Sequence, residues 1–170
     1  NKYINSSDRV LDIACGQGGG VKVLAQRAKE VIGIDYNEEY IRSGNDNLPS
    51  NIELKHGTDE LLDDYINYFD KIVSLHTLEH VPDDLLFLKR LHSALKDDGK
   101  LIIEVPRLMP IPLGEPLYPF HEREYNHKIM TELLETSGFS LVTSKGGNRG
   151  QYVNYEQARE VLFYVCHKHK

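Results

Sequence analysis

The chain has 170 residues, of which 40% are hydrophobic and 27% are charged, a composition typical of a soluble globular domain. Its 20 basic and 26 acidic side chains give a formal net charge of −6, which argues against nucleic acid as the main partner because phosphate binding needs a basic surface. No apolar run approaches the roughly 18 residues that span a bilayer and no signal peptide is visible, so no membrane partner is expected.

The length fits a single domain over residues 1–170. Because the chain begins at Asn1 and the first predicted strand follows almost immediately, we expect that helices preceding that strand are missing. The two cysteines, Cys15 and Cys166, lie far apart. This spacing indicates a reducing compartment such as the cytoplasm and not a disulfide framework. The sequence carries no signal for the oligomeric state.

Strands and helical segments alternate through the first part of the chain. The predicted strands cover residues 9–14, 31–35, 52–56, 69–75 and 100–105. Between them, helices are predicted over residues 19–29, over 38–47 with Asn37 as the cap, and from Pro82 to about residue 95, with a short turn or helix over 57–65. This alternation indicates βαβ units and a parallel sheet.

The pattern changes after the fifth strand. Residues 106–119 hold five prolines, which predict a long loop, and long loops in compact domains are usually functional. A helix over residues 129–137, a sixth strand over 139–145, a flexible turn over 146–150 and an antiparallel last strand over 161–167 follow. The predicted fold is therefore α/β and doubly wound, a Rossmann-like, mostly parallel seven-stranded sheet with an antiparallel last strand.

The stretch over residues 10–20 carries the most informative motif of the sequence. An apolar strand leads into a cluster of glycines and then into a helix, the layout that brings backbone close to a ligand at the carboxyl end of a first parallel strand. A dinucleotide fingerprint requires a further glycine three positions after Gly18, where this chain has Val21. Asp35, at the end of the second strand, suits a ribose. These features alone leave both a nicotinamide cofactor and another adenosine-containing ligand open.

Four segments together resemble the motif series of class I S-adenosylmethionine-dependent methyltransferases: residues 10–18, Asp35, residues 57–59 and residues 69–81. Residues 11–18 look like the cofactor-loop motif of that family, with Ala14 in the place of its first glycine. The fourth-strand segment is similar to that of the ubiquinone-biosynthesis and small-molecule branch. The resemblance covers nearly the whole chain and implies an enzyme with S-adenosylmethionine as cofactor.

The resemblance also implies a cofactor site. Its predicted residues are Asp12, Ala14, Gly16, Gly18, Asp35, Tyr36, Thr58, Asp59 and His76.

Each of these residues has an implied role. The two loop glycines leave room for the methionyl portion, and Asp12 faces its ammonium group. Asp35 holds the ribose hydroxyls, and Tyr36 or Ile34 packs beside the adenine. Thr58 or Asp59 meets the adenine amino group, since Thr58 occupies the place where the family usually has its carboxylate. His76 lies near the transferable methyl.

Structural alternatives exist for several of these residues. Asp12 caps a turn in one interpretation, and Asp59 caps the next helix in another. Cys15 is interpreted as a small packing residue and not as a nucleophile. His80 is interpreted as a structural residue bonded to backbone.

Two histidines are the predicted catalytic residues, because a hydroxyl acceptor benefits from a base near neutral pKa. They are His76 and His121, of which His121 follows the proline-rich loop and, with Glu122, lines the predicted acceptor pocket. The alternative is that His121 pins the loop to the sheet. His76 and His80 have a spacing that suits a shared metal on a helix, but without a visible third ligand no metal is predicted.

The predicted function is metal-independent methylation of a small molecule or a sugar, at oxygen. One alternative is a catalytically silent methyltransferase-fold domain that serves cofactor binding or protein interaction. A second is an NAD(P)-dependent oxidoreductase, against which Val21 and the fourth-strand segment argue.

Overall fold

Eight strands form one sheet in the computed structural model, which describes residues 2–107 and 120–169. The strands are β1 (Arg9–Ile13), β2 (Glu30–Asp35), β3 (Ile52–His56), β4 (Phe69–Leu75), β5 (Leu95–Pro106), β6 (Phe139–Asn148), β7 (Gln151–Val153) and β8 (Val161–Lys168). Their order is β3-β2-β1-β4-β5-β8-β6-β7. Strands β1 to β5 pair in parallel, and β8 pairs antiparallel with both β5 and β6. The predicted architecture, including the antiparallel last strand, is confirmed.

The sheet has one strand more than predicted, β7, which follows a turn shorter than the predicted one. Strand β6 continues through Gly146 and Gly147, and only Arg149 and Gly150, with φ angles of 49° and 73°, form the turn into β7. A β-carbon on Gly146 or Gly147 would collide with Ala158 or Val161. These two glycines therefore allow close packing within the sheet instead of flexibility, and the prediction of a turn over residues 146–150 was wrong for its first three positions.

Four helices flank the sheet in the described part of the chain: α1 (Gly19–Ala25), α2 (Glu38–Gly44), α3 (Asp84–Ala94) and α4 (His127–Thr136). The Asn37 side chain caps α2 as predicted, accepting the N–H groups of Glu39 and Tyr40. Helix α3 begins after Pro82, since the Asp83 side chain accepts the N–H of Leu86. Most of the predicted proline-rich loop, residues 108–119, lies outside the described residues. No helix among those described has the length and apolar character to span a bilayer.

Hydrophobic side chains are buried on both faces of the sheet. Adjacent residues of a strand point to opposite faces, so Leu11 joins one core cluster with Phe87 of α3 and Leu134 of α4. Val10 joins the other, with Val21 of α1 and Ile41 of α2. Helices on both faces are what a mostly parallel sheet requires, and they make the fold doubly wound.

Gly33 of β2 provides a direct test of how tightly the first helix and its loop pack on the sheet. A β-carbon there would lie 2.7–2.8 Å from atoms of Leu54, Cys15 and Val21. Gly33→Ala should therefore lower the free energy of unfolding by about 1–3 kcal/mol, measured by urea denaturation. Gly19→Ala is the matched control, because nothing lies within 4 Å of its β-carbon position. Equal stability of the two variants would contradict this account of the packing.

Candidate active site

The candidate site lies where strands β1, β2, β4 and β5 end. Because these strands are parallel and adjacent, their carboxyl ends meet at one edge of the sheet. The polar residues at this edge are Asp12 in β1, Asp35 at the end of β2, His76 after β4 and Glu104 in β5.

The loop after β1 curls sharply over this edge. The N–H groups of Ala14 and Cys15 both donate to the carbonyl of Ile34, at 2.8 and 3.0 Å. Ala14, Gly16 and Gly18 have φ angles of 63°, 56° and 79°, a region that costs a residue with a β-carbon about 1–2 kcal/mol. This conformation favours glycine at alternate positions of the loop. Ala14 adopts it although it carries a β-carbon. Nothing lies within 4 Å of the β-carbon position of Gly16, so a ligand can approach the backbone there.

Asp35 closes this loop onto β2. Its side chain is buried, and its Oδ2 accepts the N–H of Gly16 at 2.8 Å, while Oδ1 accepts the N–H of Asn37 at 2.9 Å. Since a carboxylate has about four acceptor positions, each oxygen retains capacity for a further donor. The structure thus brings together the glycine loop and the carboxylate that the sequence analysis combined.

Asp12 is a buried carboxylate beside Asp35. Burial first, and the negative charge of Asp35 second, raise the pKa of Asp12 to about 7. Its Oδ2 would be 2.9 Å from a β-carbon on Gly20, so the start of α1 packs directly against it. Asp12 caps no turn among the described residues. A buried carboxylate of this kind is stabilised by a ligand that brings a positive charge.

The residues predicted around adenine differ in accessibility. Ile34 is fully buried, whereas Tyr36 is 75% exposed, so of the two only Tyr36 presents its side chain to a ligand. Thr58 Oγ1 accepts the N–H of Glu60 and caps the 3-10 turn Asp59–Asp64. The interpretation of Asp59 as that cap was wrong, since its Oδ2 binds Arg90 Nη1 of α3 at 2.7 Å. An adenine contact by Thr58 or Asp59 stays a prediction.

His76 lies at the end of β4 between two carboxylates. Its φ is 52°, its Nε2 is 3.3 Å from Glu104 Oε1 and its Nδ1 is 3.6 Å from Glu79 Oε1. The carboxylate of Glu104 first, and that of Glu79 second, raise the pKa of His76 to about 9. The sequence analysis did not select Glu104. Its signal is a carboxylate within the apolar run that makes up the carboxyl-terminal half of β5.

His121 packs against the short 3-10 turn that follows His76, Leu78–His80. Its ring meets that of His80 edge to face, with centroids 4.9 Å apart, and its Nδ1 is 3.6 Å from Glu124 Oε1. His80 Nδ1 lies 2.9 Å from the carbonyl oxygen of Phe120, which confirms the predicted bond to backbone. The structure therefore brings His76, His80 and His121 together around Glu79.

Cys15 does not act as a nucleophile in this loop. Burial first, and the charges of Asp12 and Asp35 next, raise the pKa of its thiol to about 12. The thiol stays neutral and packs against the β2 side of the loop, near Gly33. This confirms the interpretation of Cys15 as a packing residue.

The residues at this edge fit an adenosyl sulfonium that carries an amino-acid group. Open backbone at Gly16 leaves room for the ligand, Asp35 provides acceptors for hydroxyls, and Asp12 provides an anion for an ammonium group.

Comparison with known proteins agrees with this geometry. The profile of a methyltransferase domain family matches residues 2–144. A probable S-adenosylmethionine-dependent methyltransferase of Mycolicibacterium smegmatis is 32% identical over 139 residues, covering 81% of this chain and 54% of that protein. A ubiquinone biosynthesis O-methyltransferase of Azorhizobium caulinodans is 33% identical over 98 residues, covering 56% of this chain and 39% of that protein. The chain thus spans about half the length, or less, of these curated relatives.

A solved structure shows the same fold. The 1,6-didemethyltoxoflavin-N1-methyltransferase of Burkholderia thailandensis, crystallised with bound 1,6-didemethyltoxoflavin and S-adenosylhomocysteine, superposes with a TM-score of 0.79 at 21% identity. The superposition covers 99% of this chain and 73% of that one. The match over residues 2–144 exceeds half of the chain. The chain therefore belongs to the methyltransferase domain family, among the class I S-adenosylmethionine-dependent methyltransferases.

Proposed function

We propose that this domain transfers a methyl group from S-adenosylmethionine to an oxygen atom of a small molecule or a sugar. The observation that carries the cofactor assignment is the junction of Asp35 with the Gly16 backbone, with the buried carboxylate of Asp12 beside it. Together they put two carboxylates at the point where the sheet order reverses between β1 and β4, the usual ligand position in such sheets.

Methyl transfer is a displacement at carbon, so the protein acts mainly by alignment. When bound, S-adenosylmethionine supplies the methyl group on a positively charged sulfur. Asp12 would hold the ammonium group and Asp35 the ribose hydroxyls. His76, held between Glu79 and Glu104 at the end of β4, would orient the reacting groups, and His121 would border the acceptor.

Two features favour a small hydroxylated acceptor. Phe120 is 81% exposed beside His121, and an exposed ring offers a stacking surface for an aromatic or sugar ring. Glu122 is exposed next to it and offers acceptors for hydroxyl groups. One curated relative is named for ubiquinone biosynthesis, and the solved neighbour is named for methylation of 1,6-didemethyltoxoflavin. Both names support a small-molecule acceptor over a macromolecule.

The test has two stages. Isothermal titration calorimetry should show S-adenosylhomocysteine binding to the purified chain. Absence of binding even at about millimolar ligand, a concentration that detects very weak affinities, would contradict the proposal. Incubation with S-adenosylmethionine labelled in its methyl group and a panel of phenols, quinols, sugars and amines should then transfer label to a hydroxylated compound. Label on an amine would keep methylation and overturn the oxygen assignment. Binding without transfer to any acceptor would favour the silent-domain alternative.

A further inference from the structure

We propose that Glu79, His80 and His121 form a binding site for a divalent transition-metal ion beside the methyl-transfer position. The ligand atoms of these three side chains all lie within 4.8 Å of one another. The sequence analysis considered only His76 and His80 and found no third ligand. In the structure His76 follows strand β4 and His80 ends a 3-10 turn. The additional ligands come from Glu79 and from His121, which is distant along the chain.

The carboxylate of Glu79 is the reason to expect a cation here. Its side chain is 1% exposed, and among the described residues no hydrogen bond reaches Oε1 or Oε2. His76 Nδ1 and His80 Nε2 lie 3.6 and 3.8 Å from Oε1, within ion-pair distance but longer than a hydrogen bond. Buried carboxylates normally also accept direct hydrogen bonds or bind a metal, and an ion between Glu79 and the imidazoles would bond to both oxygens.

His80 is oriented as a metal ligand should be. Its Nδ1 lies 2.9 Å from the carbonyl oxygen of Phe120, and since a carbonyl only accepts, Nδ1 carries the proton. In the neutral ring this leaves the lone pair on Nε2, the nitrogen that faces Glu79. Metal-binding histidines characteristically donate their other N–H to a carbonyl or carboxylate in this way.

The segment that carries His121 is clamped to the segment that carries Glu79. The N–H of Glu122 donates to the carbonyl of Glu79 at 2.8 Å. Arg123 donates to the carbonyls of Val81 and Pro82 at 2.7 and 2.8 Å, and the Tyr125 hydroxyl donates to Asp84 Oδ2 at 3.0 Å. Because several bonds hold the two segments in one geometry, the three ligands are preorganised for binding.

Two imidazoles and one carboxylate suit zinc and neighbouring first-row divalent ions, and leave coordination positions open. The role of such an ion rests on the proposed function: an acceptor hydroxyl bound at an open position would release its proton to solvent water more readily. The ion would then select acceptors that offer an oxygen, next to His76, the residue that follows β4.

The experiment measures metal binding directly. The full chain, freed of metal with a chelator, is titrated with Zn²⁺ by calorimetry and with Co²⁺ by visible absorption, which reports the coordination of the ion. We expect about one equivalent to bind, with at least about tenfold weaker binding in Glu79→Gln and in His121→Asn. Glu135→Gln and His167→Asn are the matched controls, since both residues are exposed and outside the cluster, and they should bind as the wild type does.

Absence of stoichiometric binding to the wild type would overturn the proposal, as would equal binding by the cluster variants and the controls. If a variant fails to fold, the Co²⁺ spectrum of the wild type still tests the proposal. A spectrum equal to that of the free aqueous ion would overturn the metal site. Calorimetry of S-adenosylhomocysteine with the metal-free chain separates the two proposals. If it binds while metal does not, only the metal site is lost, and the converse result removes the methyltransferase function.

Discussion

Replacing Asp35 with alanine should raise the dissociation constant for S-adenosylhomocysteine by about ten- to a hundredfold, equivalent to about 1.5–3 kcal/mol. Two contributions add. The ribose hydroxyls lose their acceptor, and the N–H of Gly16 loses its bond to Oδ2, so the loop that borders the ligand also loses its attachment to β2. Isothermal titration calorimetry near neutral pH measures the change.

Asp46→Ala is the control for this variant, because Asp46 is an exposed carboxylate in the turn after α2 and should bind the ligand as the wild type does. A thermal melt of each variant shows that it is folded. Unchanged affinity in Asp35→Ala would mean that the ribose is held elsewhere, and the proposed cofactor site would have to be abandoned.

Asp12→Asn should affect stability and cofactor binding in opposite directions. The pKa of Asp12 rises from 3.8 to about 7 in the folded protein, so between these values the folded chain holds a proton that the unfolded chain has lost. Stability therefore falls as pH rises through this range and levels off above it. The neutral asparagine removes this cost, and the ligand-free variant should be about 1–3 kcal/mol more stable near pH 8, as measured by urea denaturation.

The same carboxylate should make ligand affinity depend on pH. An ammonium group binds the ionised form of Asp12, so the wild type should bind S-adenosylhomocysteine about tenfold more weakly at about pH 6 than at about pH 8. Asp12→Asn should bind weakly at both, with little difference between them. A wild-type affinity independent of pH, or a variant that keeps the pH dependence, would show that Asp12 does not face the ammonium group.

Much of the fold could be predicted from local sequence. Strands β1 to β4 were predicted to within one residue at each end, because each is a short apolar run bounded by polar or turn residues. The cap at Asn37 could also be predicted from local sequence, because asparagine is a preferred residue type at the start of a helix. The predictions that were wrong involve contacts between distant segments. Gly146 and Gly147 have the residue type of a turn, and only the neighbouring Ala158 and Val161 require them inside a strand.

The candidate site divides in the same way. The glycine loop and Asp35 could be predicted because their spacing along the chain reflects the strand, turn and helix that carry them. The pairing of His76 with Glu104 could not be predicted, because Glu104 lies on β5, the strand paired beside β4. The cluster of Glu79, His80 and His121 depends on how the segment around Arg123 returns to the 3-10 turn. No local pattern encodes that contact.

The sequence by itself therefore determined the order of strands and helices, the family resemblance and the positions of the loop glycines, since these follow from hydrophobic periodicity and backbone conformation over a few residues. The tertiary structure alone decided which charges meet. It buried Asp12 beside Asp35, placed His76 between two carboxylates and brought His121 to Glu79. The physical reason is that pKa values and ligand clusters depend on distance and burial in space, which the packing of separate segments sets.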